Sequence, residues 1–237
     1  MAKYKISREF FPFSHFTPPI SEKFLAMAVR HMKTPKYIFK DKELDVSRHK
    51  IKSYAAMCWA YDNADLLGID TARIGIGGDS AGSTLAVGVC MMARDRKHPV
   101  RFAFQMLPYP FLDMRNNSES CKKFTDTPMW NSALSSRIAP MTKVDRNDPS
   151  YVYYSPVEAE SFEGLPPAYI ETAEFDCLHD DGILYAKKLR EAGIEVTLNE
   201  TKGTMHGFDI VQNVETTRAA VKARIEFMQE YFGSEGV

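Results

Sequence analysis

The chain has 237 residues, which is enough for one domain with a large buried core. Hydrophobic residues make up 44% and charged residues 26%, and with a net charge of −1 there is no basic excess that would point to nucleic acid. No apolar run is long enough to span a membrane. The basic start Met1–Lys5 is soon interrupted by Arg8 and Glu9, so we expect no signal peptide and a cytoplasmic location.

The cysteines are scattered along the chain and none belongs to a C-x-x-C pair. This pattern predicts reduced thiols in the interior rather than a disulfide framework or a zinc site. No other group of histidines and carboxylates has the spacing of metal ligands, so no metal is expected. The four cysteines are Cys58, Cys90, Cys121 and Cys177.

The part of the chain before residue 69 contains few strand signals. Ser21 can cap a helix that runs to about Met32. Weak alternation predicts a strand at Arg48–Tyr54. Apolar residues at helical spacing then predict a helix over Ala55–Leu67, which ends at Gly68.

From residue 69 onward, predicted strands and helices alternate. This order predicts an α/β fold with a mostly parallel sheet and helices on both faces, in which a site forms at the carboxyl ends of the strands. Residues 111–150 carry no strand signal and are interpreted as short helices and loops that cover the site. The predicted strands are Arg73–Gly77, Val100–Leu107, Ala168–Ala173 and Glu195–Glu200, and the helices are Ala81–Arg94, Asp181–Ala192 and Val214–Phe232.

The segment Gly78-Asp79-Ser80-Ala81-Gly82 lies between a predicted strand and a predicted helix. A G-x-S-x-G pattern in this position is typical of a nucleophile elbow, a sharp turn that exposes a serine hydroxyl at the top of a sheet. Because that hydroxyl is a weak nucleophile at neutral pH, it needs a base and an acid that orients the base. The alternative interpretation is that Ser80 is only a small residue at a glycine-rich start of a helix.

Two later segments offer these partners in the chain order nucleophile, acid, base. Asp176 follows the predicted strand Ala168–Ala173, and His206 follows the predicted strand Glu195–Glu200. Since the carboxyl ends of parallel strands meet at one edge of the sheet, we expect both side chains near Ser80. Three neighbouring carboxylates compete with Asp176 for the role of the acid: Glu174, Asp180 and Asp181.

Taken together, these motifs resemble the hormone-sensitive-lipase-like branch of the α/β-hydrolases, which includes acetyl esterases and carboxylesterases. The resemblance extends from about residue 44 to residue 232. The family usually has proline where Cys177 stands and arginine where His179 stands. The segments that carry the resemblance are Gly78–Gly82, Asp176–Gly182 and His206–Phe208.

The resemblance implies an α/β-hydrolase fold with Ser80 as the nucleophile, Asp176 as the orienting acid and His206 as the general base. It also implies a single domain over residues 1–237, in which residues 1–45 and 111–150 form a small helical cap. Neither a cofactor nor a metal is implied. Trp130, within the second cap segment, either lines an acyl pocket or packs in the core.

The chain departs from the family before the elbow. The family forms its oxyanion hole from the backbone N–H after the nucleophile, here that of Ala81, and from an H-G-G-G loop, which this sequence lacks. Residues 44–54 are similar to the family's first strand and residues 55–68 to its helix before the elbow. The family has three more strands between them, so we expect an internal deletion, on the order of 50–80 residues, near Tyr54-Ala55.

Two functions remain open. The first is hydrolysis of small-molecule esters with short acyl chains, with no cofactor and no nucleic-acid or membrane partner. The second is a catalytically impaired homologue, because loss of an oxyanion donor costs about 10²–10³ in rate. Amide or lactone hydrolysis would use the same triad. Missing strands would also leave the elbow strand with an open edge, which a second copy of the chain could cover.

Overall fold

The computed structural model describes residues 3–10, 13–15, 46–139 and 145–233, so the helix predicted at Ser21–Met32 lies outside the described residues. Short 3-10 turns connect several of the elements. The strands are β1 (Ile74–Gly77), β2 (Phe102–Pro108), β3 (Ala168–Phe175) and β4 (Val196–Met205). The helices are α1 (Val46–Asp62), α2 (Ala64–Leu67), α3 (Ala81–Asp95), α4 (Glu119–Lys123), α5 (Ser132–Ile138), α6 (His179–Glu191) and α7 (Glu215–Phe232).

The four strands form one sheet in the order β1-β2-β3-β4, and every neighbouring pair is parallel. This confirms the predicted α/β architecture. Parallel neighbours require a crossover on a face of the sheet, and α3 and α6 provide two of them. Among the described strands, β1 contacts only β2, so the elbow strand lies at one end of the sheet. No helix in the described ranges is both long and apolar enough to cross a membrane.

Helix α3 is central to the main hydrophobic core. Its sequence is apolar on most sides, and side chains such as Val87 and Met91 are almost completely buried. They pack with Leu107 of β2, Ile170 of β3 and Leu189 of α6. Burial on several sides holds the first turn of α3, where the elbow lies, in a fixed position.

The strand predicted at Arg48–Tyr54 is wrong, because the described chain is helical from Val46 to Asp62. Tyr54, Met57 and Tyr61 are three or four residues apart, so they lie on one face of α1. That face packs against α3 in a second hydrophobic cluster. Packing of this face against α3 stabilises the helix. The alternation of polar and apolar residues over residues 48–54 was too short to specify a strand.

This correction bears on the expected deletion. Tyr54 and Ala55 lie inside one uninterrupted helix, α1, and not at a boundary between a strand and a helix. Residues 46–54 are helical and not a strand, so they no longer mark the position of a junction, and the deletion itself stays a prediction. The helix predicted at residues 55–67 is divided into the end of α1 and α2, and α2 ends at Gly68, where φ is +67°.

Candidate active site

Ser80 lies at a sharp turn between β1 and α3, with φ 55° and ψ −120°. Residues with a side chain rarely adopt a positive φ, and such strain is concentrated at functional sites. Gly78 explains how the turn closes: a Cβ at this position would lie 2.5 Å from the backbone C and O atoms of Gly82. The two glycines of the motif therefore allow two stretches of backbone to touch.

The end of β2 holds the turn in place. The N–H of Ser80 donates to the carbonyl of Pro108 at 3.1 Å, and the N–H of Phe111 donates to the carbonyl of Ser80 at 3.1 Å. The hydroxyl of Ser83 donates to the carbonyl of Gly78 at 2.5 Å. Both backbone groups of Ser80 are thus used, which leaves its side chain to project from the turn.

The structure brings Ser80, His206 and Asp176 together. The Ser80 Oγ lies 2.8 Å from His206 Nε2, and His206 Nδ1 lies 2.7 Å from Asp176 Oδ2. Asp176 follows β3 and is completely buried, while His206 follows β4 and is 8% exposed. An ionised carboxylate can only accept, so Nδ1 carries the proton and Nε2 is free to accept the serine hydrogen. This arrangement can activate a hydroxyl as a nucleophile.

The competing carboxylates are engaged elsewhere. Glu174 accepts the N–H of Gly203 at 2.8 Å, and Asp180 accepts the N–H of Ser120 at 2.8 Å. Asp181 is buried and accepts two backbone N–H groups of the segment after β2, both at 3.0 Å. Of the four acids considered, Asp176 is the one hydrogen-bonded to His206.

Tyr109, which the sequence analysis did not consider, contacts the histidine directly. Its ring is edge-on to the His206 ring, with 5.0 Å between the centroids. Tyr109 has φ +34°, and its hydroxyl donates to Asp209 Oδ1 at 2.7 Å. The only sequence signal for such a residue is its place directly after β2, at the same edge of the sheet as Ser80.

Asp209 belongs to a longer chain of charged groups. Arg224 of α7 donates to Asp209 Oδ2 at 2.8 Å and to Glu171 Oε1 at 2.5 Å. Glu171 is completely buried in the middle of β3. Burial opposes a charged guanidinium, but the two carboxylates outweigh it and hold the pKa of Arg224 above its usual value. A charged side chain such as Glu171 is almost never fully buried without a partner, and Arg224 is that partner here.

A cavity of about 780 Å³ opens beside these groups. Its lining includes Ser80, His206, Tyr109, Met129 and Arg224. The centroid of the Trp130 ring lies 6.1 Å from that of His206. Met129 and Trp130, both from the segment 111–150, therefore lie beside His206 and the cavity.

Ala81 is the first residue of α3, so its N–H is one of those that a helix leaves without an intrahelical acceptor. It directly follows Ser80 in the chain, so this N–H lies beside the turn that carries the Ser80 side chain. Among the residues that the structure describes, no group of three or more histidines, cysteines and carboxylates is placed to hold a metal.

Comparison with known proteins agrees with the α/β fold described above. A family model described as the alpha/beta hydrolase fold matches residues 51–210. The carboxylic ester hydrolase LipN of Mycobacterium tuberculosis is 37% identical over 167 residues, which cover 66% of this chain and 43% of LipN. A solved structure entitled bacterial heroin esterase superposes with a TM-score of 0.71 at 35% identity, covering 76% of this chain and 58% of that one.

The chain spans about half the length of such relatives. The alignment with arylacetamide deacetylase of Bos taurus, 25% identical, runs over 243 residues, more than this chain has, yet covers 77% of the chain and 59% of the relative. That alignment therefore includes positions with no counterpart here. The match of the family model over most of the described sheet, together with the esterases among the relatives, shows that the chain belongs to the alpha/beta hydrolase fold family.

Proposed function

We propose that the chain is a serine carboxylesterase, of the hormone-sensitive-lipase-like branch, that acts through Ser80, His206 and Asp176. The hydrogen-bonded series from the Ser80 hydroxyl to the Asp176 carboxylate carries the proposal, with distances of 2.8 and 2.7 Å. The named ester hydrolases among its relatives support the same class of reaction.

In this proposal, Ser80 Oγ attacks the ester carbonyl carbon while His206 Nε2 takes the hydroxyl proton. Asp176 accepts the Nδ1–H and stabilises the imidazolium that forms. The N–H of Ala81 donates to the oxyanion. His206 returns its proton to the alkoxide leaving group, and a water molecule activated by His206 then hydrolyses the acyl-enzyme. No cofactor enters any of these steps.

The substrate proposed is a small ester with a short acyl chain. Met129 and Trp130 approach the site from the segment 111–150. Their position supports a role for this segment as a cap that limits acyl length. The assignment of residues 1–45 to the same cap, within a single domain over residues 1–237, stays a prediction.

An impaired homologue is the second candidate, favoured by a specific observation. The sequence has no H-G-G-G loop, and the alignment with arylacetamide deacetylase includes positions that this chain lacks. Because the N–H of Ala81 is the donor that remains of the family's oxyanion hole, we expect the rate of hydrolysis to be lower by about 10²–10³. The Ser80 hydroxyl would then be activated normally, but the chain would hydrolyse esters slowly.

The test separates activation of Ser80 from turnover. Hydrolysis of p-nitrophenyl acetate and butyrate is measured on the purified chain, and Ser80 is labelled with a fluorophosphonate. Ser80→Ala is the negative variant, and Ser161→Ala, which changes an exposed loop serine, is the matched control. Hydrolysis above that of Ser80→Ala supports the esterase. Labelling without hydrolysis favours the impaired homologue, and the absence of both overturns the triad.

A further inference from the structure

Two cysteines meet beside the turn that carries Asp176. Cys121 lies in α4 of the segment 111–150, and Cys177 directly follows Asp176. Both side chains are buried, at 3% and 0% exposure, and both belong to the same hydrophobic cluster. Cys121 Sγ lies 3.1 Å from the carbonyl oxygen of Cys177. The two residues are 56 positions apart in the chain, so this contact joins α4 to the end of β3.

The two thiols differ in acidity. Hydrogen bonding with the Cys177 thiol lowers the pKa of Cys121 to about 7 against the effect of burial, and Ser118 contributes in the same direction. The same interaction, together with burial, raises the pKa of Cys177. At neutral pH the pair therefore combines a thiol that loses its proton readily with one that keeps it.

We propose that Cys121 and Cys177 form a modification site at which hydrogen peroxide produces an intramolecular disulfide. The Cys121 thiol first loses its proton to solvent. Its sulfur then attacks peroxide: an S–O bond forms, the O–O bond breaks and hydroxide leaves, giving a sulfenic acid. The Cys177 sulfur attacks the sulfenic sulfur, an S–S bond replaces the S–O bond, and the hydroxyl leaves with the Cys177 proton as water. Two thiols and one peroxide give one disulfide and two waters.

Access to Cys121 depends on α4. This helix has five residues and lies on the surface, with Lys122 and Lys123 exposed. Individual hydrogen bonds join this helix to the end of β3, such as the 2.8 Å bond from the Ser120 hydroxyl to the Cys177 carbonyl. Local opening of so short an element costs far less than global unfolding, and a molecule as small as peroxide can use it.

The disulfide would form inside the turn that holds the acid. Asp176 Oδ1 accepts the N–H of Leu178 at 2.9 Å, so Cys177 is the central residue of this turn. Oxidation therefore ties the segment 111–150 covalently to the residue next to Asp176.

The test uses the full chain and does not depend on activity. Reduced protein is freed of reductant, treated with hydrogen peroxide, alkylated under denaturing conditions and digested without reduction. The number of alkylated thiols should fall from four to two. Mass spectrometry should find one linked pair of peptides, containing Cys121 and Cys177 and lighter by two hydrogen atoms. Dithiothreitol should restore all four thiols.

Matched variants locate the site. Cys121→Ser and Cys177→Ser should each abolish the linked peptides. Cys90→Ser removes a buried thiol that belongs to a different cluster, so the link should persist. Four alkylated thiols after treatment, oxidation of Cys121 to sulfinic acid without a link, or a link between other cysteines would each overturn the proposal.

Discussion

The Tyr109 ring stands edge-on to the imidazole of His206, with 5.0 Å between the centroids and 65° between the planes. Its hydroxyl is fixed by Asp209, and its backbone has a positive φ of 34°. The contact places the Tyr109 ring against one side of the imidazole that we propose as the general base.

The ring and the hydroxyl of Tyr109 can be tested separately. Tyr109→Phe keeps the ring and removes one hydrogen bond to a charged acceptor, so we expect a loss of about 1.5–3 kcal/mol in the free energy of unfolding. Fluorophosphonate labelling of Ser80 should stay within about threefold. Tyr109→Ala frees the imidazole, and labelling should slow by about tenfold or more, which corresponds to about 1.4 kcal/mol. Equal labelling rates in the two variants would show that the ring does not position His206.

Arg224 and Glu171 should be strongly coupled in stability. Arg224→Met leaves the fully buried Glu171 carboxylate without its cation, and a loss of about 3–5 kcal/mol is expected in urea unfolding. Adding Glu171→Gln removes the stranded charge and should recover part of the loss. Lys222→Ala, which breaks an exposed ion pair with Glu226 on the same helix, is the control and should cost less than about 1 kcal/mol. If the double variant is no more stable than Arg224→Met, the coupling is absent.

Sequence reasoning could predict some residues of this site but not others. Ser80, Asp176 and His206 each follow a strand, and their chemistry is recognisable from local motifs, so sequence reasoning could select them. The pair Glu171–Arg224 depends on how α7 packs against the sheet, and residues 53 positions apart give no local pattern.

Gly78 should be intolerant of a side chain. In Gly78→Ala the new Cβ would lie 2.5 Å from the backbone of Gly82, which cannot yield without opening the elbow. We expect loss of Ser80 labelling together with a lower midpoint of thermal unfolding. Gly68→Ala is the control for loss of a glycine without a clash: its φ is +67°, and nothing lies within 4 Å of the added atom. A residue with a Cβ in this left-handed conformation should cost about 1–2 kcal/mol in stability and leave labelling unchanged. Normal labelling of Gly78→Ala would mean that the elbow is less tight than described.

Asp181 should make stability depend on pH. Burial raises its pKa well above the ordinary value of 3.8, so the folded state favours the protonated form. Its contribution is therefore fully present below 3.8 and is lost as the pH rises through the raised folded-state pKa. Asp181→Asn keeps an oxygen for the N–H groups of Leu112 and Asp113, both of which bind Oδ2.

The check on Asp181 is a series of urea unfolding curves from acidic to neutral pH. The wild type should lose stability over this range more steeply than Asp181→Asn. Parallel pH profiles of the two proteins would show that the Asp181 carboxyl does not titrate differently in the folded and unfolded states.

The segment Arg48–Tyr54, predicted as a strand, is helical in α1 for a physical reason. A short stretch with alternating polar and apolar residues is compatible with either a strand or a helix until its packing partner is known. The partner is α3, which contacts Tyr54, Met57 and Tyr61. In contrast, the long apolar run of α3 and the strands on either side of it were predicted to within a few residues. Pairing of two copies through the edge of β1 stays a prediction.

The two backbone hydrogen bonds that join Ser80 to Pro108 and Phe111 limit how this architecture can be altered. The end of β2 and the residues that follow it form one side of the turn that carries Ser80. If the segment 111–150 is exchanged for one from another hydrolase, the exchange should therefore begin after Phe111, and residues 108–111 should be retained. Insertions after Phe111 can remodel the entrance to the cavity. In contrast, inserting or deleting one residue within 108–111 would displace Ser80.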